Sequence, residues 1–459
     1  MTTGSQAFFE ECNARFPRSR QLAERAARVI PRLVTHDGRH MLPFPIYVER
    51  AKGSRKWDVD GHEYVDYAGG HGALLLGHSH PDILAAIQQA LPLGTHLGSS
   101  HEREIRWAEL ITQLVPSGER VEFTMSGTEA VMMAVRIARA FTGRDRLVKL
   151  QGHFHGWYDN VYVGLADVID APASAGISPA ILGTATVVPC NDIEAIRRTL
   201  AQRDVAAVIL EPGGASASTL PVGARILEQL REETRRTGTL LIFDEVITGF
   251  RYSPGGAQQY YGVIPDLTTL GKIVGGGMPA AAVTGRAEIM ATLEYGHKNA
   301  AGQPSRVTHT GTYNANPVTA AAAIAMLERV ATGLPTERAT AASQSLRLAL
   351  SEVLARSEAA GCIYGERSIC HIHLAPQERC PKVGEDGSIP PEFPLVTLLR
   401  DKAAVSADLK RAMLLEGVDL LSDHAWVSAA HTSDDVEWTA QAFARALKRL
   451  LAAGLIPRR

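Results

Sequence analysis

No long run of one charge sign occurs in this chain. Its 47 basic and 49 acidic residues leave a net charge of −2, so neither a nucleic-acid surface nor an anionic-membrane surface is expected. Cysteine is scarce: the five thiols, Cys12, Cys190, Cys362, Cys370 and Cys380, are odd in number, scattered and without a C-x-x-C pair. That argues against a disulfide framework and against a thiolate metal site, and it fits a reducing cytoplasm. Long hydrophobic runs are missing too. The most apolar stretch, Ala320 to Leu327, is far too short to cross a bilayer, and Met1 to Arg20 has no signal-peptide core. There is no internal repeat. What is present is the profile of a soluble globular protein, with 459 residues, 45% apolar and 21% charged, long enough for more than one domain. Small-molecule chemistry is the expectation.

The middle of the chain alternates strand and helix signals. Val205 to Leu210 and Leu240 to Val246 are near-continuous apolar runs on either side of an amphipathic stretch, Val222 to Arg236, that breaks at Gly238. This is the pattern of a βαβ unit in a parallel sheet covered on both faces. A similar unit precedes it: strand Val121 to Thr124, helix Gly127 to Ala140, strand Arg146 to Leu150. In such sheets ligands collect at the carboxyl ends of strands, where Ser126, His153, Glu211 and Asp244 fall. The chain ends differ. Trp57 to Tyr67 has two short strand signals around an Asp60-Gly61 turn. A final helix opens at Thr432 with Asp435 three residues on, and its apolar stripe runs Val436, Ala440, Phe443, Leu447, Leu450. Ala375 to Pro394 reads as a surface excursion.

Lys272 stands between the apolar Leu267 to Leu270 run and Gly275-Gly276-Gly277. A lysine in apolar surroundings is costly unless its amine does chemistry. With Asp244 leaving a buried strand, the pair supplies what pyridoxal 5'-phosphate requires: an amine for a Schiff base and a carboxylate to keep the pyridine nitrogen protonated. Thr124 to Ala130 follows a strand and opens a helix, so Gly127 and Thr128 amides and the Ser126 and Thr128 hydroxyls point where a phosphate could sit; a plain Ser N-cap with Glu129 reads the same way. His153 and His155 would face one way on a strand-like segment, yet no third ligand has a companion spacing, so no metal is expected and an aromatic stacked on a planar ring, Phe154, suits the cluster better. His309 to Pro317 is another hydroxyl-bearing turn before a helix.

Taken in order, Ser126-Gly127-Thr128-Glu129-Ala130, His153-Phe154-His155-Gly156, Glu211-Pro212, Asp244-Glu245-Val246, Lys272 with its glycines, and Gly311-Thr312 with Asn316-Pro317 resemble the class III pyridoxal phosphate aminotransferases. Single motifs are weak, but this many in order are specific, and the resemblance covers nearly the whole chain. It implies an α/β fold of type I: a large domain (71–332) on a mainly parallel sheet and a smaller α+β domain from both chain ends (1–70 and 333–459). It further implies a homodimer with sites at the interface. Residue by residue, Lys272 carries the cofactor and Asp244 pairs with the pyridinium. Val246 packs under the ring and Phe154 over it. Gly127 and Thr128 hold the phosphate with Ser126 beside them, Glu211 lies near the ring, and Thr312 arrives from the neighbouring subunit.

Within the family, Phe141 to Asp145 and Ala171 to Ile177 look like glutamate semialdehyde aminomutase and its relatives acting on phenylglycine-type and β-phenylalanine-type amino acids. His71 stands where the aminomutase usually has a tryptophan, and Gly213-Gly214 stand where many amine transaminases carry a Gln. Val34 to Arg39 aligns with the segment that supplies the aminomutase's carboxylate-binding arginine, which nominates Arg39, with Arg251 next. The expected activity is ping-pong transfer from an amino acid or amine donor to a keto acid acceptor. An aminomutase or epimerase reaction is the alternative, and a cofactor-binding protein without catalysis the non-enzyme reading.

Overall fold

The computed structural model describes residues 3–165, 168–169, 171–214, 220–299 and 301–459. They form two compact units: Met1–His80 with Glu337–Pro390 and Thr397–Arg459, and Pro81–Thr336 with Pro391–Val396. The first boundary thus lies after His80 rather than at residue 70. The reason is local: His78 bridges back to Gly53 and its Nε2 is 2.6 Å from Asp66 Oδ2. Residues 391–396 fall in the large unit, which they join through Asn191 Nδ2 donating to Pro391 O at 2.6 Å.

The large unit is built on seven strands: β1 Arg120–Thr124, β2 Arg146–Leu150, β3 Ala185–Val188, β4 Val205–Leu210, β5 Leu240–Glu245, β6 Leu267–Gly271 and β7 Ala281–Gly285, in the order β1-β7-β6-β5-β4-β2-β3. The run from β6 to β3 is parallel, and β7 is antiparallel to both β1 and β6. Every residue of β4 and β5 is buried, as continuous apolar strands in a doubly covered sheet must be. Side chains alternate between faces. Ala207, Ile209 and Ile242 pack with Ala130, Ala134, Ile137 and Ala138 of helix Gly127–Thr142, while Val208, Leu210, Leu241 and Phe243 pack with Ile196, Leu200, Leu227 and Leu230. Helix Gly127–Thr142 is stopped by Gly143 and helix Ala224–Thr237 by Gly238, both left-handed, a conformation in which glycine bears no Cβ penalty.

The other unit holds a four-stranded sheet, Val48–Lys52, Arg55–Asp58, Glu63–Asp66 and Val418–Asp419, and a three-stranded antiparallel one, Cys362–Tyr364, Ile369–His373 and His424–Trp426. Gly61, at φ 93°, turns the second strand into the third. Helix Ser433–Ala452 starts at a Thr432 cap whose hydroxyl accepts from Asp435 N while the Asp435 carboxylate accepts from Thr432 N. Its Phe443, Leu447 and Leu450 are buried against Leu409, Ala412 and Met413. Among the described residues no single helix is long and apolar enough to cross a membrane.

Candidate active site

The sheet's carboxyl edge carries a cavity of about 140 Å³ lined by Gly127, Thr128, Phe154, His155, Gly156, Glu211, Asp244, Val246, Ile247 and Lys272. They arrive from the ends of five strands: Gly127 and Thr128 after β1, Phe154, His155 and Gly156 after β2, Glu211 after β4, Asp244, Val246 and Ile247 at the end of β5, and Lys272 after β6. Lys272 follows β6 directly with φ 51°, a left-handed backbone that costs a non-glycine residue about 1–3 kcal/mol and persists only where the surroundings impose it. Burial pulls the Lys272 amine below the usual ammonium range. Asp244 and Glu211 act in the opposite direction, and Arg251 adds to the lowering.

Asp244, near the end of β5, is 4% exposed. Its Oδ2 lies 2.7 Å from His155 Nδ1, and its Oδ1 accepts from Thr269 Oγ1 and from Val246 N, each at 3.1 Å. Thr269 is Asp244's register partner on β6. Burial also holds the His155 ring below its ordinary range, so the neutral ring donates from Nδ1 to the carboxylate. Its Nε2 is buried without a hydrogen-bond partner among the described residues.

Helix Gly127–Thr142 begins at the cavity. Ser126 caps it: its Oγ accepts from Glu129 N at 3.3 Å, and Glu129 returns the bond by accepting from Ser126 N at 3.0 Å and Met125 N at 2.7 Å. Ser126 is engaged as a cap and is not among the lining residues, whereas Gly127 and Thr128, whose N–H groups a helix cannot satisfy internally, line the cavity. The walls are tight. A Cβ on Gly127 would come within 3.0 Å of both Val246 methyls, one on Gly271 within 3.0 Å of Val246 Cγ1, and one on Gly156 within 2.4 Å of Thr128 Oγ1. Glycines thus fix Val246 across the floor and bring the 156 backbone up to the helix end.

The stretch from His153 to His155 is irregular rather than strand-like, and its two imidazoles diverge. His153 Nδ1 accepts from Glu211 N at 2.9 Å and its Nε2 lies 3.5 Å from Cys190 Sγ, while His155 serves Asp244. Phe154, 45% exposed, lines the cavity between them, and its N donates to Glu211 Oε1 at 3.2 Å. Among the described residues no group of three metal-ligating side chains converges. Two sequence candidates are not among the residues lining this cavity. Thr312 is exposed, with its carbonyl accepting from His96 Nε2 at 2.6 Å. Arg39 sits in the other unit, in the turn Asp37–Arg39, with Nη1 donating to Thr35 Oγ1 at 2.9 Å, and lines a separate cavity of about 490 Å³ with His71 and Lys410. Arg251 is fully buried, and its guanidinium is lowered to about 10 by that burial.

Two participants escaped the sequence reading. His155 reads in the sequence as half of a histidine pair and a motif member, not as the partner of Asp244. Thr269 shows itself only through the β5–β6 register.

The donor set fits one kind of guest. A helix N-terminus takes a phosphate, a buried amine meets a carbonyl, a braced carboxylate faces a protonated ring nitrogen, and an aromatic with a free face covers a planar ring. Pyridoxal 5'-phosphate has all four features.

Comparison with known proteins agrees. The family model described as "Aminotransferase class-III" matches residues 36–389. The glutamate-1-semialdehyde 2,1-aminomutase of Methanopyrus kandleri is 38% identical over 450 residues, 95% of this chain and 98% of its own. An omega-transaminase from Sphaerobacter thermophilus superposes with a TM-score of 0.84 at 37% identity, covering 94% of this chain and 97% of that one. A beta-phenylalanine aminotransferase from Variovorax paradoxus gives 0.82 at 28% identity, covering 99% of each. The chain belongs to the class-III aminotransferases, enzymes of fold type I whose cofactor is pyridoxal phosphate.

Proposed function

We propose that this site relocates an amino group within a single substrate, as a 2,1-aminomutase does, and that the substrate is an amino acid derivative of the glutamate 1-semialdehyde type. The observation that carries the chemistry is the convergence of Lys272, Asp244 and the Gly127–Thr128 helix end on one cavity. The finer choice rests on the curated relatives: besides the Methanopyrus kandleri protein, the Ignicoccus hospitalis aminomutase is 39% identical over 415 residues.

Bound here, the cofactor would supply an aldehyde for a primary amine and an electron sink at its ring nitrogen. The chain does the rest. Gly127 and Thr128 amides hold the phosphate, Val246 and Phe154 sandwich the ring, and Asp244, braced by His155 and Thr269, keeps a proton on the ring nitrogen. The Lys272 amine, lowered by burial, would take the proton from the carbon bearing nitrogen and deliver it to the cofactor-side carbon, then run the same transfer in reverse at the neighbouring substrate carbon, the cofactor holding the amino group between the two. Moving the amine from C2 to C1 of an amino aldehyde is an isomerisation, so no co-reactant is consumed.

A second reading, transfer between two molecules, is favoured by His71. It stands where the aminomutase usually has a tryptophan, and its ring packs on His36 with centroids 4.4 Å apart. The Sphaerobacter transaminase supports it as well. Incubation with nitrogen-15-labelled glutamate 1-semialdehyde and unlabelled keto acids separates the two. We expect isomerised product with its label intact and no labelled amino acid formed from the keto acid. Stoichiometric amination of the keto acid would establish the transaminase reading instead.

In this proposal Arg39 receives the substrate carboxylate. Arg39→Ala is then expected to raise KM for carboxylate-bearing substrates by roughly 10–100-fold, the loss of a charge-assisted hydrogen bond, with kcat changed little. Amines without a carboxylate, assayed for conversion of the bound cofactor, should be much less affected. A uniform loss would assign Arg39 to the fold. The proposal retains a homodimer with Thr312 supplied by the partner. In support, Leu91, Leu93, Leu97 and Ile105 of the large unit expose 47%, 60%, 47% and 59% of their surface, apolar side chains that association would cover.

A further inference from the structure

Lys149 lies in the middle of β2, the strand Arg-Leu-Val-Lys-Leu, and its side chain is wholly buried. Lysines almost never occupy such positions unless something compensates the charge. Here the acceptors are three main-chain carbonyls: Nζ donates to His153 O at 2.9 Å, Val161 O at 3.1 Å and Val163 O at 2.6 Å. Three donors meet three acceptors, the full capacity of an ammonium. All three carbonyls belong to one segment, which closes on itself where Gly152 N donates to Gly164 O at 2.8 Å. That segment, 152–164, also carries Phe154, His155 and Gly156, three residues of the cavity wall. Burial pushes the Lys149 amine down to about 7, with Glu211 opposing through space. A cation placed against such a gradient is retained only where its hydrogen bonds are needed.

We infer that Lys149 is a positioning residue: its ammonium is the nucleus round which loop 152–164 folds, and through that loop it sets Phe154 and His155 against the cofactor. The inference rests on the cofactor reading above, and it concerns a residue that touches neither cofactor nor substrate. Such supporting groups are expected to matter by about 10–100-fold when removed.

The test uses the holoprotein of Lys149→Met, which keeps the length and loses the donors, and of Lys149→Gln, which restores a shorter amide donor. Equilibrium dialysis gives the Kd for pyridoxal phosphate, visible circular dichroism reports how the ring is held, and hydrogen exchange reads peptide 151–164 separately from β4 and β5. For Lys149→Met we expect Kd to rise at least about 10-fold, the dichroic band to shrink, and exchange in 151–164 to accelerate at least about 10-fold while β4 and β5 stay within about twofold. Lys149→Gln should recover part of each. Parental Kd, band and exchange in Lys149→Met would overturn the inference. So would faster exchange spread across the whole sheet, or failure of both variants to fold, since either assigns Lys149 to the sheet as a whole. The parent's own Kd tests the cofactor reading independently.

Discussion

Lys272→Ala is expected to lose multiple turnover, by about 10³-fold or more, while the protein remains folded and still binds pyridoxal phosphate. Two contributions disappear together. In the proposed reaction the amine both holds the cofactor covalently and is the base that moves the substrate proton, a role worth roughly 10²–10⁴-fold by itself. The phosphate contacts are independent of it, because the Gly127 and Thr128 amides belong to a helix capped by Ser126 and Glu129. Stability should change little or rise. Lys272, half-buried and held at φ 51°, bears both desolvation of its amine and backbone strain, and alanine removes the first. The measurements are single- and multiple-turnover kinetics, together with mass analysis after borohydride reduction, which should trap cofactor on the parent peptide and not on the variant. Turnover at the parental rate would remove the central claim about this site.

Much of this site was legible because its chemistry contradicts its surroundings. A lysine between an apolar run and three glycines, and an aspartate ending a buried strand, are exceptions to burial rules, and exceptions stand out in a sequence. Lys149 is the same kind of exception, placed inside β2 beside Val148 and Leu150, yet it passes unnoticed because a strand of alternating character tolerates one polar side chain on its outer face. Only the wrapping of 152–164 around it shows that there is no outer face there. The strand-helix alternation of the large unit followed from apolar runs and glycine stops. The reversed direction of β7 did not, since Ala281-Ala282-Val283-Thr284 would suit either orientation and pairing is decided by β1 and β6. Ser126 shows how two readings coincide: its hydroxyl oxygen accepts from Glu129 N in a capping box, which leaves the hydroxyl proton free to donate. Thr269 needed the register of β5 against β6, and His155 the path of the loop after β2, before their bonds to one carboxylate could be seen.

Asp244→Asn should separate charge from shape. The carboxylate is 4% exposed and makes three hydrogen bonds, to His155 Nδ1, Thr269 Oγ1 and Val246 N. An asparagine fits the same volume. Its carbonyl oxygen can keep the Thr269 and Val246 bonds, but its amide then meets the His155 nitrogen that formerly donated to it, so the ring must change tautomer or rotate, and its orphaned Nε2 gives it little help in doing so. The larger effect is electrostatic. Without a negative charge the protonated ring nitrogen loses its partner in a dry site, and the cofactor's capacity to accept electrons falls. We expect kcat to drop by roughly 10²–10³-fold, the scale for deleting one preorganised charge-stabilising group, with the Kd for pyridoxal phosphate rising less than about tenfold because the helix end at Gly127 is untouched. The bound cofactor's absorbance should also titrate differently with pH, which simple loss of packing would not produce. If Asp244→Asn matched the parent in kcat and spectrum, protonation of the ring nitrogen would have to be set by another group, and His155 would be bracing a residue without a catalytic role.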